Sequence, residues 1–237
     1  MAEQSSGLFT KFEDEYVSVY APRPKEDRVL WPCEVMLRTL FGRHLERKVE
    51  IEFGEHTRVL DVGCGTGNNL RPFLHKGCQA FGTEVTEKIA RQTQDSLSAL
   101  GFESTIKSGQ NLELPFEDGY FDLVTSVNVL HYEKDEASIK EALKEYARVL
   151  KPDGVLFVMT AGQEHDIYKR ATALGDHRFR ISDWDFRDGE QFFYFSNLKY
   201  LEFYLSQFWD DVELGETLER LPKITGHFLF AVCRKKR

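Results

Sequence analysis

Residues 59–70 read VLDVGCGTGNNL. An apolar run carrying one aspartate passes straight into glycines at alternate positions, Gly63, Gly65 and Gly67. Glycine accepts positive φ and lets a backbone approach a ligand with no Cβ in the way. RVLDV (58–62) reads as a short buried strand and NNLRPFLHK (68–76) as a helix, so the glycines fall at a strand's carboxyl end. Doubly wound sheets bind ligands there, and the next helix offers unpaired N–H groups. The spacing is GxGxG, whereas the dinucleotide fingerprint is GxGxxG; the third glycine comes one residue early. Asp61 at the strand end is a poor neighbour for a pyrophosphate and a good one for a cationic or amine-bearing ligand.

The alternation continues on both sides. A helix is expected over 28–50, started by Pro32, after a bend at YAPRPKED (20–27). CQAFGTE (78–84) is a second strand. Thr86 caps a helix that runs to Leu100 and is ended by Gly101. STIKSG (104–109) is a weak third strand and YFDLVTSV (120–127) a strong fourth. Asp135 starts a helix through EALKEYARVL, KPDG (151–154) is a turn, and VLFVMT (155–160) is the fifth strand. Such alternation calls for a mostly parallel sheet with helices on both faces. Residues 161–195 are polar, aromatic and irregular, an insert above the sheet. Ser196 is the expected N-cap of NLKYLEFYLSQ, and DDVELGE and HFLFAVCRK are an antiparallel pair closing the sheet.

The chain has 237 residues, 41% apolar and 30% charged, with net charge -8. That length allows one α/β domain with decoration. An acidic chain gains no general attraction to phosphate backbones, so no nucleic-acid partner is expected. The four cysteines form no CxxC pair, which fits a reducing compartment and no structural zinc site. The polar N-terminus lacks an apolar signal core and no run is long enough to span a membrane. A cytoplasmic protein is expected.

Beyond the glycine turn, strand two ends in Glu84, a carboxylate placed to accept both hydroxyls of a ribose. Gln110, Asn111 and Leu112 follow strand three, placed to edge and pack against an adenine. The set VLDVGCGTG, FGTE, LELPFEDGYFDLV, VLHYEKD and RVLKPDGVLFV resembles the class I S-adenosylmethionine-dependent methyltransferases, in particular the small-molecule type 11 branch. The resemblance covers roughly residues 55–162, with five motifs in order. It implies a doubly wound, mostly parallel seven-stranded Rossmann-like sheet with a final antiparallel strand, an N-terminal helical lid (1–50) and a methyltransferase domain (51–237) whose residues 161–195 cover the substrate. It implies S-adenosylmethionine as cofactor and S-adenosylhomocysteine as product. Gly63, Gly65 and Gly67 would line its methionine and ribose parts, and Asp61 would orient that loop or meet the amine through water. Glu84 would hold the ribose, Gln110 would face the adenine amino group, and Asn128 would lie by the methionyl end.

Methyl transfer from a sulfonium is an in-line displacement in which the protein chiefly aligns donor and acceptor, an effect of roughly 7–11 kcal/mol in well-oriented reactions. A base matters only for a protonated acceptor. His131 and Tyr132, after strand four, are the candidates for it, and His165 and His177 lie further along. Tyr16 or Tyr20 is placed to fold over the sulfonium. Trp184, Phe186, Phe192, Phe193, Tyr194 and Phe195 are expected to wall an acceptor pocket, with Arg178, Arg180 and Arg187 suiting an anionic small molecule. No metal ligand set is recognised, and the oligomeric state is open. A nicotinamide-dependent oxidoreductase, a non-catalytic cofactor-binding scaffold and a protein-directed methyltransferase are the competing readings. SVNVLHY after strand four has no NPPY-like tetrapeptide, which argues against amide or adenine N-methylation.

Overall fold

The computed structural model describes residues 31–42, 48–183 and 188–236. The expectations for Tyr16, Tyr20, Trp184, Phe186 and Arg187 lie outside the described residues.

Ten strands and five α-helices order the described chain. The first helix, α1 (Glu34–Phe41), precedes β1 (Arg58–Val62), α2 (Arg71–His75), β2 (Gln79–Glu84), α3 (Glu87–Ser98), β3 (Ser104–Ser108) and β4 (Phe121–Val127). Then come α4 (Glu136–Val149), β5 (Leu150–Ala161), β6 (Thr172–Gly175), β7 (Arg178–Arg180), β8 (Gln191–Phe193), α5 (Leu198–Leu205), β9 (Trp209–Arg220) and β10 (Thr225–Lys235). Seven strands form one sheet in the order β3-β2-β1-β4-β5-β10-β9. Pairings from β3 through β5 are parallel, while β10 pairs antiparallel with both β5 and β9. The order reverses between β1 and β4, which makes their carboxyl ends the switch point of the sheet.

Alternation along each strand explains the layers. Val59, Leu123 and Phe157 face Met36, Leu40 and Phe73 of α1 and α2, while Leu60, Val124 and Leu156 face Ile139, Leu143 and Leu201 of α4 and α5. Successive strand residues point to opposite faces, so a run such as VL or LV supplies both cores at once.

The caps at Thr86 and Asp135 form as expected: each side chain accepts from the N–H three residues on, at Ile89 and Ser138. Other boundaries differ. The first helix stops at Phe41, because Gly42 is extended and its N–H closes on Arg38 O at 3.0 Å. Its Met36 and Leu40 are buried against the sheet. KPDG does not precede the fifth strand as a separate turn; it is a bulge inside β5, where the β4 register jumps from Leu150 to Val155 and Asp153 takes φ 62°. The cap of α5 is Asn197, not Ser196: the side-chain Oδ1 of Asn197 accepts from Tyr200 N at 3.0 Å, and the two residue types are equally good caps. The insert is not wholly irregular. Strands β6, β7 and β8 form a small antiparallel sheet of their own.

Candidate cofactor site at the switch point

The glycine turn is bound on every side. Gly63, Gly65 and Gly67 take φ values of 63°, 55° and 77°, the left-handed region where a Cβ is costly. A Cβ on Gly63 would lie 2.6 Å from Val129 Cγ2, and one on Gly67 would lie 2.8 Å from Leu97 Cδ1. The third glycine therefore serves close packing of the turn on α3. The middle of the turn is held by hydrogen bonds: Gly65 N donates to Glu84 Oε1 at 2.5 Å and Thr93 Oγ1 donates to Gly65 O at 2.5 Å.

Glu84, expected as a ribose ligand, is 4% exposed and also accepts from Val85 N at 3.2 Å. A carboxylate has about four lone-pair directions and accepts from several donors at once. Asp61 is 1% exposed. Its Oδ1 accepts from Thr125 Oγ1 at 2.7 Å, while Oδ2 is buried without a hydrogen bond of good geometry, the Asn69 amide lying beside it. Burial pushes the Asp61 carboxyl up to about 7, and the nearby Glu84 adds to the rise. Asn128, at φ 60°, donates its N–H to Met159 O at 2.9 Å; its Oδ1 is a second buried acceptor with no hydrogen bond. These two acceptors sit at the ends of the adjacent β1 and β4. A buried unpaired acceptor costs free energy unless a donor reaches it, and a cationic guest with several N–H donors suits both.

The remaining expected residues divide. Gln110 and Leu112 are exposed, in a tight turn closed by Gln110–Glu113 backbone bonds. Asn111 turns inward: Nδ2 donates to Glu133 Oε1 at 2.8 Å and Oδ1 accepts from Tyr146 OH at 2.9 Å. Both heavy atoms of the amide, expected to edge an adenine, thus have a partner within the protein, and these two bonds use one of its two N–H groups and one of its carbonyl lone pairs. His131 is 3% exposed, with Nδ1 accepting from Ala161 N at 3.3 Å and lying 3.2 Å from Thr160 Oγ1. An Nδ1 that accepts from an amide is not the nitrogen that takes an acceptor's proton. Tyr132 packs with His131 and Phe192 at ring distances of 4.5 and 4.9 Å. His165 caps a short turn through Nδ1, and burial pushes it down to about 4, so it is neutral at pH 7. His177 stacks on Tyr200 at 4.3 Å.

For three of the six aromatics expected to wall an acceptor pocket, the structure gives a correction. Phe192, Phe193 and Phe195 are fully buried; Phe193 and Phe195 belong to the main core and Phe192 to the insert's own core. Tyr194 is half-buried and Arg180 exposed. Among the described residues, Arg178 pairs at 3.5 Å with the exposed Asp176, and its buried Nε has no hydrogen bond.

Two groups escaped the sequence reading. Asn69 Oδ1 accepts from Cys33 N at 2.9 Å, which ties the start of α1 to the end of the glycine turn. Arg148 and Glu145 of α4 clamp the loop that leads into β4: Arg148 donates to Leu114 O at 3.0 Å and Phe116 O at 2.9 Å, and Glu145 accepts from Leu114 N at 3.0 Å. Their partners lie some thirty positions away along the chain, so no local pattern announces them.

Residues 60–158 match the family model described as a methyltransferase domain. That match spans the glycine turn, the strand-tip acid Glu84 and the strands on either side of the switch point, and it supports a class I S-adenosylmethionine-dependent methyltransferase. An uncharacterised protein of Haemophilus influenzae is 34% identical over 119 residues, 48% of this chain and 47% of its own. An uncharacterised methyltransferase of Geobacillus is 25% identical over 172 residues, 72% and 74% of the two chains. The chain thus spans about half the length of the first relative and three quarters of the second. In fold, this methyltransferase is similar to the crystal structure of a SAM-dependent methyltransferase from Methanosarcina mazei, with TM-score 0.65 and 21% identity over 87% of this chain and 99% of the other. Among the described residues, no helix is long and apolar enough to cross a membrane and no cluster of acidic, His and Cys residues could hold a metal.

Proposed function

We propose that this methyltransferase transfers the methyl group of S-adenosylmethionine to a small-molecule acceptor by in-line displacement. The cofactor supplies a methyl group on a sulfonium, which leaves as a neutral thioether. The observation that carries the reading is the pair of buried, unbonded acceptors, Asp61 Oδ2 and Asn128 Oδ1, at the switch point beside the left-handed glycine turn. In this reading Asp61 and Asn128 hold the methionine ammonium. Glu84 accepts from the ribose hydroxyls beside the bonds it takes from Gly65 N and Val85 N, and Gln110 and Leu112 flank the adenine from their exposed turn. Gly63 and Gly67 let the turn close on Val129 and Leu97 and so hold its backbone in place for the cofactor.

The chain's own contribution to rate is then alignment and exclusion of water rather than proton transfer. His131 Nδ1 already accepts from an amide and His165 is a neutral cap, so an acceptor that is nucleophilic without prior deprotonation suits the site best. The net charge of -8 supports a small acceptor over a nucleic acid. Arg178, whose Nε lacks a hydrogen bond and whose ion pair is long, supports an anionic group on it.

Isothermal titration of the purified protein with S-adenosylmethionine, S-adenosylhomocysteine and NAD tests the reading. Binding of both adenosyl compounds, lost in Glu84→Ala, is expected. Binding of NAD instead, or of none of the three, would overturn it.

A further inference from the structure

The loop after β3 and the loop after β4 flank the glycine turn. In the sheet order, β2 and β1 lie between the strands they leave. One side-chain pair joins them across that span, the 2.8 Å bond from Asn111 Nδ2 to Glu133 Oε1. Behind it stands a buried relay. Tyr146 OH donates to Asn111 Oδ1 at 2.9 Å, and Ser126 Oγ lies 3.2 Å from Tyr146 OH. The phenol has one proton and spends it on Asn111, so Ser126 is the donor to Tyr146. Ser126 and Tyr146 have no exposed surface. Every proton therefore points the same way, from β4 through α4 to the loop after β3, and the relay ends on the Glu133 carboxylate. Hydrogen bonds aligned in series polarise one another, and a carboxylate at the end fixes which way the amide faces.

The loop that carries Asn111 is tied at both ends as well. Gly109 N donates to Glu84 O at 2.9 Å on one side, and Glu145 and Arg148 grip Leu114 on the other. Between these anchors lies the tight turn at Gln110–Glu113, in which Gln110 and Leu112 are exposed. Asn111 is the one side chain of that turn that reaches inward across the cleft.

We infer that Asn111 and Glu133 are positioning residues that fix the separation of the two loops and thereby set cofactor affinity. The inference rests on the methyltransferase reading and adds to it how the adenine side of the site keeps its shape. Asn111 acts through the loop it holds, not by touching the cofactor.

Polarity reversal tests this. Asn111→Asp keeps an acceptor for Tyr146 but sets a carboxylate against Glu133. Combining it with Glu133→Gln restores one donor and one acceptor across the gap, now with the amide on the other loop. S-adenosylhomocysteine affinity is measured by titration for the wild type, both single variants and the double variant, with thermal midpoints in parallel. Asn111→Asp is expected to weaken binding about 10-fold or more, the scale of a lost charge-assisted bond. The double variant is expected to regain most of it. Wild-type affinity in Asn111→Asp overturns the inference. So does a double variant that stays as weak as the single one, because rescue from the opposite loop is what direct adenine contact by Asn111 does not give. If Asn111→Asp fails to fold, Glu133→Ala removes the bond from the other side, and unchanged affinity in it is equally decisive against. A wild type that binds no adenosyl compound overturns the methyltransferase reading together with this one; wild-type binding without rescue overturns this one alone.

Discussion

Asp61 is a carboxylate placed where a carboxylate is costly. It is buried, it has one good hydrogen bond, and Glu84 beside it is also acidic. Its folded carboxyl titrates at about 7 against an ordinary 3.8, so the native state holds more protons than the unfolded chain throughout that window. Stability from this group is therefore highest below the ordinary value and falls as pH rises towards 7. Cofactor binding has the opposite sign, because an ammonium favours the ionised carboxylate. Two outcomes are expected for Asp61→Asn. Without ligand its thermal midpoint should exceed that of the wild type by most at about pH 8, by less near pH 5, and match it only below the ordinary carboxyl value, since the substitution removes a buried charge but not the shape. Its affinity for S-adenosylhomocysteine should drop, and should lose the rise with pH that the wild type shows between about pH 6 and pH 7.5. Scanning fluorimetry and titration calorimetry across pH read both; an affinity in the variant that still rises with pH would mean that another group carries the charge.

At the scale of elements, the glycine turn and α4 carry the site. Gly67 combines φ 77° with a Cβ position 2.8 Å from the fully buried Leu97. Gly67→Ala should cost about 1–3 kcal/mol, from left-handed strain and overpacking together, read as a lower urea midpoint with unchanged slope. Arg148→Ala removes the donor to two loop carbonyls and leaves the mostly buried Glu145 without its cation. A loss of about 2–3 kcal/mol is expected, with S-adenosylhomocysteine binding weakened because the freed loop also carries Gln110 and Leu112. What was legible in the sequence follows from range. The strands, the caps at Thr86 and Asp135 and the strand-tip acids Asp61 and Glu84 depend on neighbours within a few residues, and periodicity records those. The KPDG bulge depends on pairing with β4, the choice of Asn197 over Ser196 on which of two equal cappers reaches the N–H, and the engagement of Asn111 on Glu133 and Tyr146 from other elements. Phe192, Phe193 and Phe195 look the same in sequence whether they wall a pocket or fill a core. Packing on the insert's own core decides it for Phe192, and packing on α5 for Phe193 and Phe195.

At the scale of the whole molecule, the site joins parts that are distant in sequence. The glycine turn touches α3 through Leu97, β2 through Glu84, the β4 loop through Val129 and α1 through the bond between Asn69 and Cys33. A ligand seated there binds the native chain and not the unfolded one, so it should stabilise the entire cooperative unit rather than one loop. With free S-adenosylhomocysteine at a hundred times its dissociation constant the gain is about 2.7 kcal/mol. For a chain of this size that corresponds to a rise of about 5–10 °C in the thermal midpoint. The rise should be larger at about pH 7.5 than at about pH 6, because Asp61 must release its proton before it can face the ligand's ammonium. Glu84→Ala should abolish the rise at either pH, since that variant loses the pin on Gly65 and, in the proposed reading, the ribose acceptor as well. Calorimetric scans with and without ligand check all three. A shift of the same size at both pH values would place the ammonium on Asn128 and the backbone, and would remove Asp61 from the binding site while leaving its effect on the unliganded protein intact.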